Sequence, residues 1–293
     1  MRPLPRPLLG VLASISLLLS LNALAEVAPG CKVAIDENDP QSISQYQTQA
    51  NAGDACSQFN VGYLYYTGQQ YEDAEFWYAK AAEQGISRAA FEIAMFYRDN
   101  LLPGGEEPRM RWLQQAADQG LDLAQVEMGV EYLNDRQSAE ELFSAMQWLE
   151  KAAEQGNAQG QYLLGEQYRG ENRGTLDLYA SMSPDELAER YASSESKALY
   201  WLCKAAQNDN EHAQLSLSDA YSRGESIPRD PLQSRLWLEK AAANGEEDAI
   251  LILENEEKFN SDSWLDKAEF WVKRQLADDQ PRCPEIALAL EQQ

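Results

Sequence analysis

A single histidine, His212, stands in 293 residues, and that scarcity removes the commonest means of acid–base catalysis and of zinc binding. The four cysteines, Cys31, Cys56, Cys203 and Cys283, include no Cys-x-x-Cys pair, so a metal site is not expected either. Also missing are a phosphate loop, a dinucleotide glycine fingerprint, Gly-x-Ser-x-Gly and His-Glu-x-x-His. One catalytic-looking string remains, Ser194-Glu195-Ser196-Lys197, which fits Ser-x-x-Lys. It lacks the Ser-Asp-Asn and Lys-Thr-Gly strings that accompany it in penicillin-recognising enzymes. The carboxylate pairs Glu106-Glu107, Glu140-Glu141 and Glu256-Glu257 are adjacent in sequence, so on a helix they point about 100° apart and would not share a substrate. The expectation is a protein that is not an enzyme and carries neither cofactor nor metal.

Positive charge is scarce as well. Lys and Arg number 24 against 48 Asp and Glu, a net charge of -24. Such a field repels phosphate backbones and anionic lipid and speeds encounter with a basic protein surface. The expected partner is therefore a protein with a basic surface, with no nucleic acid and no direct membrane insertion.

Only one long apolar run exists, from Leu8 to Leu21, too short to span a bilayer comfortably. Arg2 and Arg6 precede it and Ala23-Leu24-Ala25 follow, the pattern of a secretory signal cleaved after Ala25. Acylation of Cys31 as a lipoprotein fits poorly, because Ala28-Pro29-Gly30 is the wrong context and lies too far from the apolar run. Cleavage would remove two arginines and take the net charge from -24 to about -26. A chain exported to the periplasm would oxidise its four cysteines, for which three pairings are possible. Cys31–Cys56 with Cys203–Cys283 is the favoured one, since each bridge would tie a non-repeating end to the nearest part of the rest.

What the chain has in abundance is self-similarity. Trp77, Trp112, Trp148, Trp201, Trp237 and Trp271 recur at steps of 35, 36, 53, 36 and 34 residues, and after each of the first five an Ala-Ala pair follows four residues on. A unit of about 36 residues cannot bury its own apolar face and must stack on its neighbours. Within each unit, steps of four, one and three place small or apolar residues and a tyrosine on one helical face: Ser57, Val61, Gly62, Tyr65; Ala89, Ile93, Ala94, Tyr97; Ala124, Met128, Gly129, Tyr132; Gly160, Leu164, Gly165, Tyr168; Ala213, Leu217, Ser218, Tyr221. A second helix carries the tryptophan, with the rings expected to fill the space between layers. It ends at Gly85, Gly120, Gly156 and Gly245, with Asp209 in the fourth unit. A sixth unit around Ala249, Leu253, Ala268 and Trp271 lacks both the Ala-Ala pair and the glycine, as a degenerate end cap would.

The pattern Ala-x-x-x-Leu-Gly-x-x-Tyr, then Trp and Lys-Ala-Ala-x-x-Gly, resembles the Sel1-like repeat, a relative of the tetratricopeptide repeat. The resemblance covers roughly 51–277 and departs at Arg109, which stands where alanine is usual. It implies an all-α fold, a right-handed α-solenoid of about six helix-turn-helix repeats, acting as an adaptor, with disulfides common in exported members. On this reading the chain divides into a signal at 1–25, an N-terminal segment or cap at 26–50, the repeats at 51–277 and a C-terminal tail at 278–293. About 17 extra residues in the fourth unit, within 169–196, are expected to contain a short helix opening at Ser183-Pro184-Asp185-Glu186.

By analogy with tetratricopeptide arrays, the side of the first helices opposite the buried stripe would line a concave, partner-binding groove. Its candidate residues are Tyr63, Leu64, Glu92, Met95, Phe96, Glu127, Glu131, Glu166 and Asp219, apolar near the start and acidic further along. The chain is similar to exported Sel1-like immunity proteins that neutralise antibacterial phospholipase effectors of type VI secretion. It is similar also to envelope scaffolds for polysaccharide export, a flagellar motor or envelope assembly. A β-lactam-binding enzyme is the remote third reading.

Overall fold

A computed structural model describes residues 31, 35–134, 139–174, 184–224, 227–259, 280–285 and 287. The signal sequence, Ser183 and Trp271 lie outside the described residues. Every regular element among those described is a helix: α1 (Pro40–Asn51), α2 (Ala55–Thr67), α3 (Tyr71–Glu83), α4 (Ser87–Arg98), α5 (Glu106–Asp118), α6 (Asp122–Asn134), α7 (Ala139–Glu154), α8 (Ala158–Gly174), α9 (Pro184–Gln207), α10 (Glu211–Arg223), α11 (Pro231–Ala243) and α12 (Glu247–Phe259). The chain forms two compact units, 1–124 and 125–293. Within the first, α1 to α5 pack each on the next in chain order; within the second, α7 to α12 do the same. No described helix is long and apolar enough to cross a membrane. The class is all-α, built from stacked helix pairs as in α-solenoids.

Several helices begin where a short polar side chain accepts from orphan backbone N–H groups, while α3, α4 and α5 begin without one. Asp54 accepts from Ser57 N at 2.7 Å, Asn210 from Ala213 N at 2.9 Å, and Asp230, just before Pro231, from Leu232 N and Gln233 N at 3.0 and 3.1 Å. They end in one recurring turn. After α3, Gly85 N donates to Ala82 O and Ile86 N to Ala81 O, the paired bonds of a Schellman turn. The same pair follows α5 from Gly120 and Leu121, α7 from Gly156 and Asn157, and α11 from Gly245 and Glu246. In every case the acceptors are the two carbonyls of the Ala-Ala pair. Asp209 takes the glycine position after α9 at φ 63°, a left-handed conformation that disfavours side chains.

The predicted stripe is buried in all five pairs, with the tyrosines at its rim half-buried except Tyr221, which is fully covered. Glycine in that stripe sets the helix spacing: a Cβ on Gly62 would lie 2.6 Å from the Tyr78 ring, on Gly129 2.7 Å from Leu149, and on Gly165 3.1 Å from the backbone of Leu202. The tryptophans do less than expected. Trp77, Trp112, Trp148 and Trp201 are only half-buried, and the residue after each, Tyr78, Leu113, Leu149 or Leu202, is the one sealed between helices. Trp237 is the exception, at 1% exposed.

A second recurring device holds pair to pair. Gln58 is buried in α2, and its Nε2 donates to Ala50 O at the end of α1 while its Oε1 accepts from Gln84 at 2.7 Å. Gln161 donates to Ala153 O and accepts from Asn208; Gln214 donates to Ala206 O and accepts from Asn244; Gln125 accepts from Gln155 at 2.7 Å. Gln58, Gln161 and Gln214 thus each add a second bond to a helix-end carbonyl, and all four glutamines are themselves bonded by the amide that precedes the next turn. Where the position is Ala90, Gln115 of α5 and Gln119 just after it both donate to Ala82 O instead.

Among the described residues, the extra residues of the fourth pair form no separate short helix. They lengthen the existing ones: α8 has 17 residues, and α9 runs unbroken for 24 from Pro184 through Trp201, about 36 Å against about 20 Å for the 13-residue α3. Pro184 does occupy the first position of a helix, as its fixed φ favours. Arg109, at an alanine position, is buried, with its guanidinium on Glu106 in the same first turn and the Glu106 carboxyl lowered by that bond.

Two outcomes follow for stability. Gln214→Met keeps the volume but leaves the Ala206 carbonyl and the Asn244 amide without it, and urea denaturation should register a loss of about 2 kcal/mol. Asp209→Gly relieves the left-handed strain and sacrifices a surface ion pair with Lys240 that contributes little. A gain of about 0.5–1 kcal/mol is expected in the same measurement; a loss would show that the pair outweighs the backbone.

Candidate protein-binding surfaces

The nine groove candidates divide by burial. Met95 and Phe96, expected on an open face, are 8% and 2% exposed and belong to the core. Phe96 sits at the centre of an aromatic cluster, stacked on Tyr66 at 5.3 Å and within 5.8 and 5.9 Å of Tyr71 and Tyr78. The helical wheel of α4 alone cannot reveal this, because the rings that cover Phe96 come from α2 and α3. Tyr63 and Leu64 are half-buried on α2. Burial, and secondarily the nearby Glu37, raises the Tyr63 hydroxyl above its ordinary pKa. Glu92 is partly covered and holds Arg88 at 2.6 Å.

In the second unit Glu166 of α8 pairs with Arg169 at 2.7 Å and accepts from Ser216 of α10 at 3.3 Å, which brings the two first helices into line. On α10, Asp219 pairs with Arg223 at 2.8 Å and is 43% exposed. Glu127 and Glu131 of α6 are half-buried and engaged in interactions of their own. His212 has an acidic partner that local spacing did not suggest: its Nδ1 faces Glu246, 34 residues on and one repeat away, with Tyr162 at 5.5 Å. Ser194 is buried within α9, whereas Lys197 is exposed with its ammonium 5.3 Å from the Tyr168 ring.

Both disulfides form, Cys31–Cys56 with Cα atoms 5.4 Å apart and Cys203–Cys283 with 5.7 Å. They suit an oxidising compartment. The second fastens an extended stretch of chain, 280–284, onto α9 of the fourth pair, from where it lies against the fifth. Arg282 is held there by its backbone: Tyr221 Oη and Trp237 Nε1 both donate to its carbonyl, at 2.9 and 3.0 Å, and its N–H donates to Gln233 Oε1 at 2.7 Å. This explains why Trp237 is sealed where the other described repeat tryptophans are half-buried. Ala287 joins the same core, and burial, with Asp230 and Glu285 adding negative potential, pushes the Tyr221 hydroxyl up to about 12.

The Sel1 repeat profile matches residues 57–86, 110–121, 122–157, 192–210 and 211–246. The chain carries Sel1 repeats. The unmatched gap at 87–109 ends at Arg109, and the gap at 158–191 holds the lengthened helices. Among solved Sel1 structures, one from Oxalobacter formigenes is 24% identical, with a TM-score of 0.61 over 80% of this chain and 89% of its own. A protective antigen present in uropathogenic Escherichia coli strains, displaying a Sel1-like fold, is 26% identical with a TM-score of 0.59, covering 83% of this chain and 52% of its own. A sel1-like repeat-containing protein of Acanthamoeba polyphaga mimivirus is 32% identical over 91 residues, 31% of this chain. The chain spans 17% of the length of that curated relative and about half of the protective antigen. Sel1 repeats serve protein–protein interaction.

The raised Tyr221 value fixes a pH dependence. Its folded pKa lies above the unfolded value near 10, so the contribution is complete below about pH 10 and is lost as pH rises toward 12. Denaturation midpoints taken across pH 9–12 should fall more steeply for the wild type than for Tyr221→Phe; parallel slopes would mean the hydroxyl ionises freely.

Proposed function

We propose that this Sel1 protein works in the periplasm after removal of its signal sequence, as a non-catalytic inhibitor that binds one protein partner. Within that class the reading favoured is an immunity protein that blocks an antibacterial phospholipase effector delivered by type VI secretion. The observation that carries it is an acidic repeat array of net charge -24 whose N- and C-terminal segments are both stapled by disulfides. An inhibitor waiting outside the cytoplasm must persist there without chaperones, and each bridge contributes roughly 2–4 kcal/mol toward that. The negative field speeds capture of a basic partner.

The accessible candidates for contact are Tyr63, Leu64 and Glu92 in the first unit and Glu127, Glu131, Glu166 and Asp219 in the second. Blocking would be steric, by covering the lipase cleft or its membrane-docking surface. Co-expression with periplasm-directed candidate effectors tests the reading: the gene should restore growth against its cognate phospholipase, and failure against every effector encoded in its genome would end it. Once a partner is in hand, Glu127→Lys, Glu131→Lys and Glu166→Lys together should weaken binding at least tenfold with unchanged helicity. Unaltered affinity by calorimetry would take the second-unit face out of the interface.

A further inference from the structure

The fifth helix pair already holds a peptide. Tyr221 and Trp237 give two hydrogen bonds to the carbonyl of Arg282 and Gln233 takes one from its N–H, so an extended backbone is read from both sides at a single residue. The three side chains are not peculiar to that pair. Tyr221 is the tyrosine that follows the buried small residue of every first helix, Trp237 is the repeat tryptophan, and Gln233 stands one turn before it.

The other pairs keep these elements unevenly. In the second, Tyr97 already donates to Glu75 at 2.7 Å and the position before Trp112 is Pro108, which has no acceptor side chain. In the fourth, Lys197 occupies the Gln233 position and lies against Tyr168, a donor where an acceptor is needed. The first pair retains all three roles: Tyr65, Trp77 and, in place of Gln233, the carboxylate of Asp73. Tyr65 and Trp77 are half-buried, and among the described residues neither the hydroxyl nor the indole N–H has a hydrogen-bond partner. Phe76, beside Trp77 at 5.4 Å, is 53% exposed. Glu72 and Glu75 flank Asp73 in the sequence of α3.

We propose that Tyr65, Asp73 and Trp77 form a docking site for one extended, basic peptide segment of a protein partner, held through its backbone as Arg282 is held by the fifth pair. Tyr65 Oη and Trp77 Nε1 donate to a carbonyl of the segment. Asp73 accepts the N–H of the same residue and, unlike Gln233, adds charge that selects Lys or Arg there. Phe76 offers apolar surface to the neighbouring side chain. The site stands whether or not the partner is a phospholipase.

The probe is this chain's own seated sequence, a synthetic peptide of residues 280–287 with Cys283→Ser, titrated calorimetrically into the full-length, oxidised protein. Saturable binding is expected, about tenfold weaker in Tyr65→Phe and in Trp77→Phe, which keep an aromatic ring at each position and remove one donor each. Asp73→Asn should keep most affinity in high salt and lose the advantage of the Arg282 peptide over an Arg282→Glu version at low salt. Circular dichroism checks that each variant is folded. Absence of binding at millimolar peptide, equal affinity for all three variants, or loss in Trp237→Phe but not in Trp77→Phe would each overturn the proposal.

Discussion

Everything in this fold depends on what happens to the carbonyl groups at the end of a helix. A helix of 13 residues leaves its last carbonyls without partners, and stacking such helices side by side buries those ends where water cannot reach them all. Here the Ala-Ala carbonyls are taken first by the two N–H groups of the glycine turn and then by a glutamine from the following helix, as Gln161 takes Ala153 O and Gln214 takes Ala206 O. The period of the sequence is the period of this solution.

Much of that was readable from residues alone. The buried stripe, the glycine turns and the order of helix pairs follow from spacing, because they depend on contacts repeated identically and near in sequence. The glutamine ladder was equally present in the letters, as Gln58, Gln125, Gln161 and Gln214 after a small residue and as Gln84, Gln119, Gln155, Asn208 and Asn244 before the turn. Polar residues at constant offsets pass for solvated surface unless burial is known. What periodicity could not foresee is where one element meets a non-repeating neighbour: Phe96 enclosed by Tyr66 and Tyr78, Glu246 reaching His212, and Trp237 closed over by the C-terminal segment. The extra residues before Ser196 show a related failing. A good N-terminal helix signal at Pro184 marks where a helix begins and says nothing about whether it later stops.

The binding faces were less legible than the fold for the same reason. A helical wheel assigns directions, while exposure depends on which neighbouring rings bend over the edge. Glu166 and Asp219 stayed at the surface because a carboxylate is costly to bury, whereas Met95 and Phe96 moved inward because nothing opposes it. Charge was thus a better guide than hydrophobicity to which candidates remain available to a partner.

The Cys203–Cys283 bridge has a topological result. With 80 residues between its ends it turns the chain from α9 through α12 into a covalent ring, and the seated stretch around Arg282 lies just inside the closure. A protease that nicks any exposed link within that ring opens the loop without releasing a fragment, and the cut pieces stay registered on the same helix pair. An unfoldase pulling from the C-terminal side would meet the crosslink and would then have to draw two segments of chain through its pore at once.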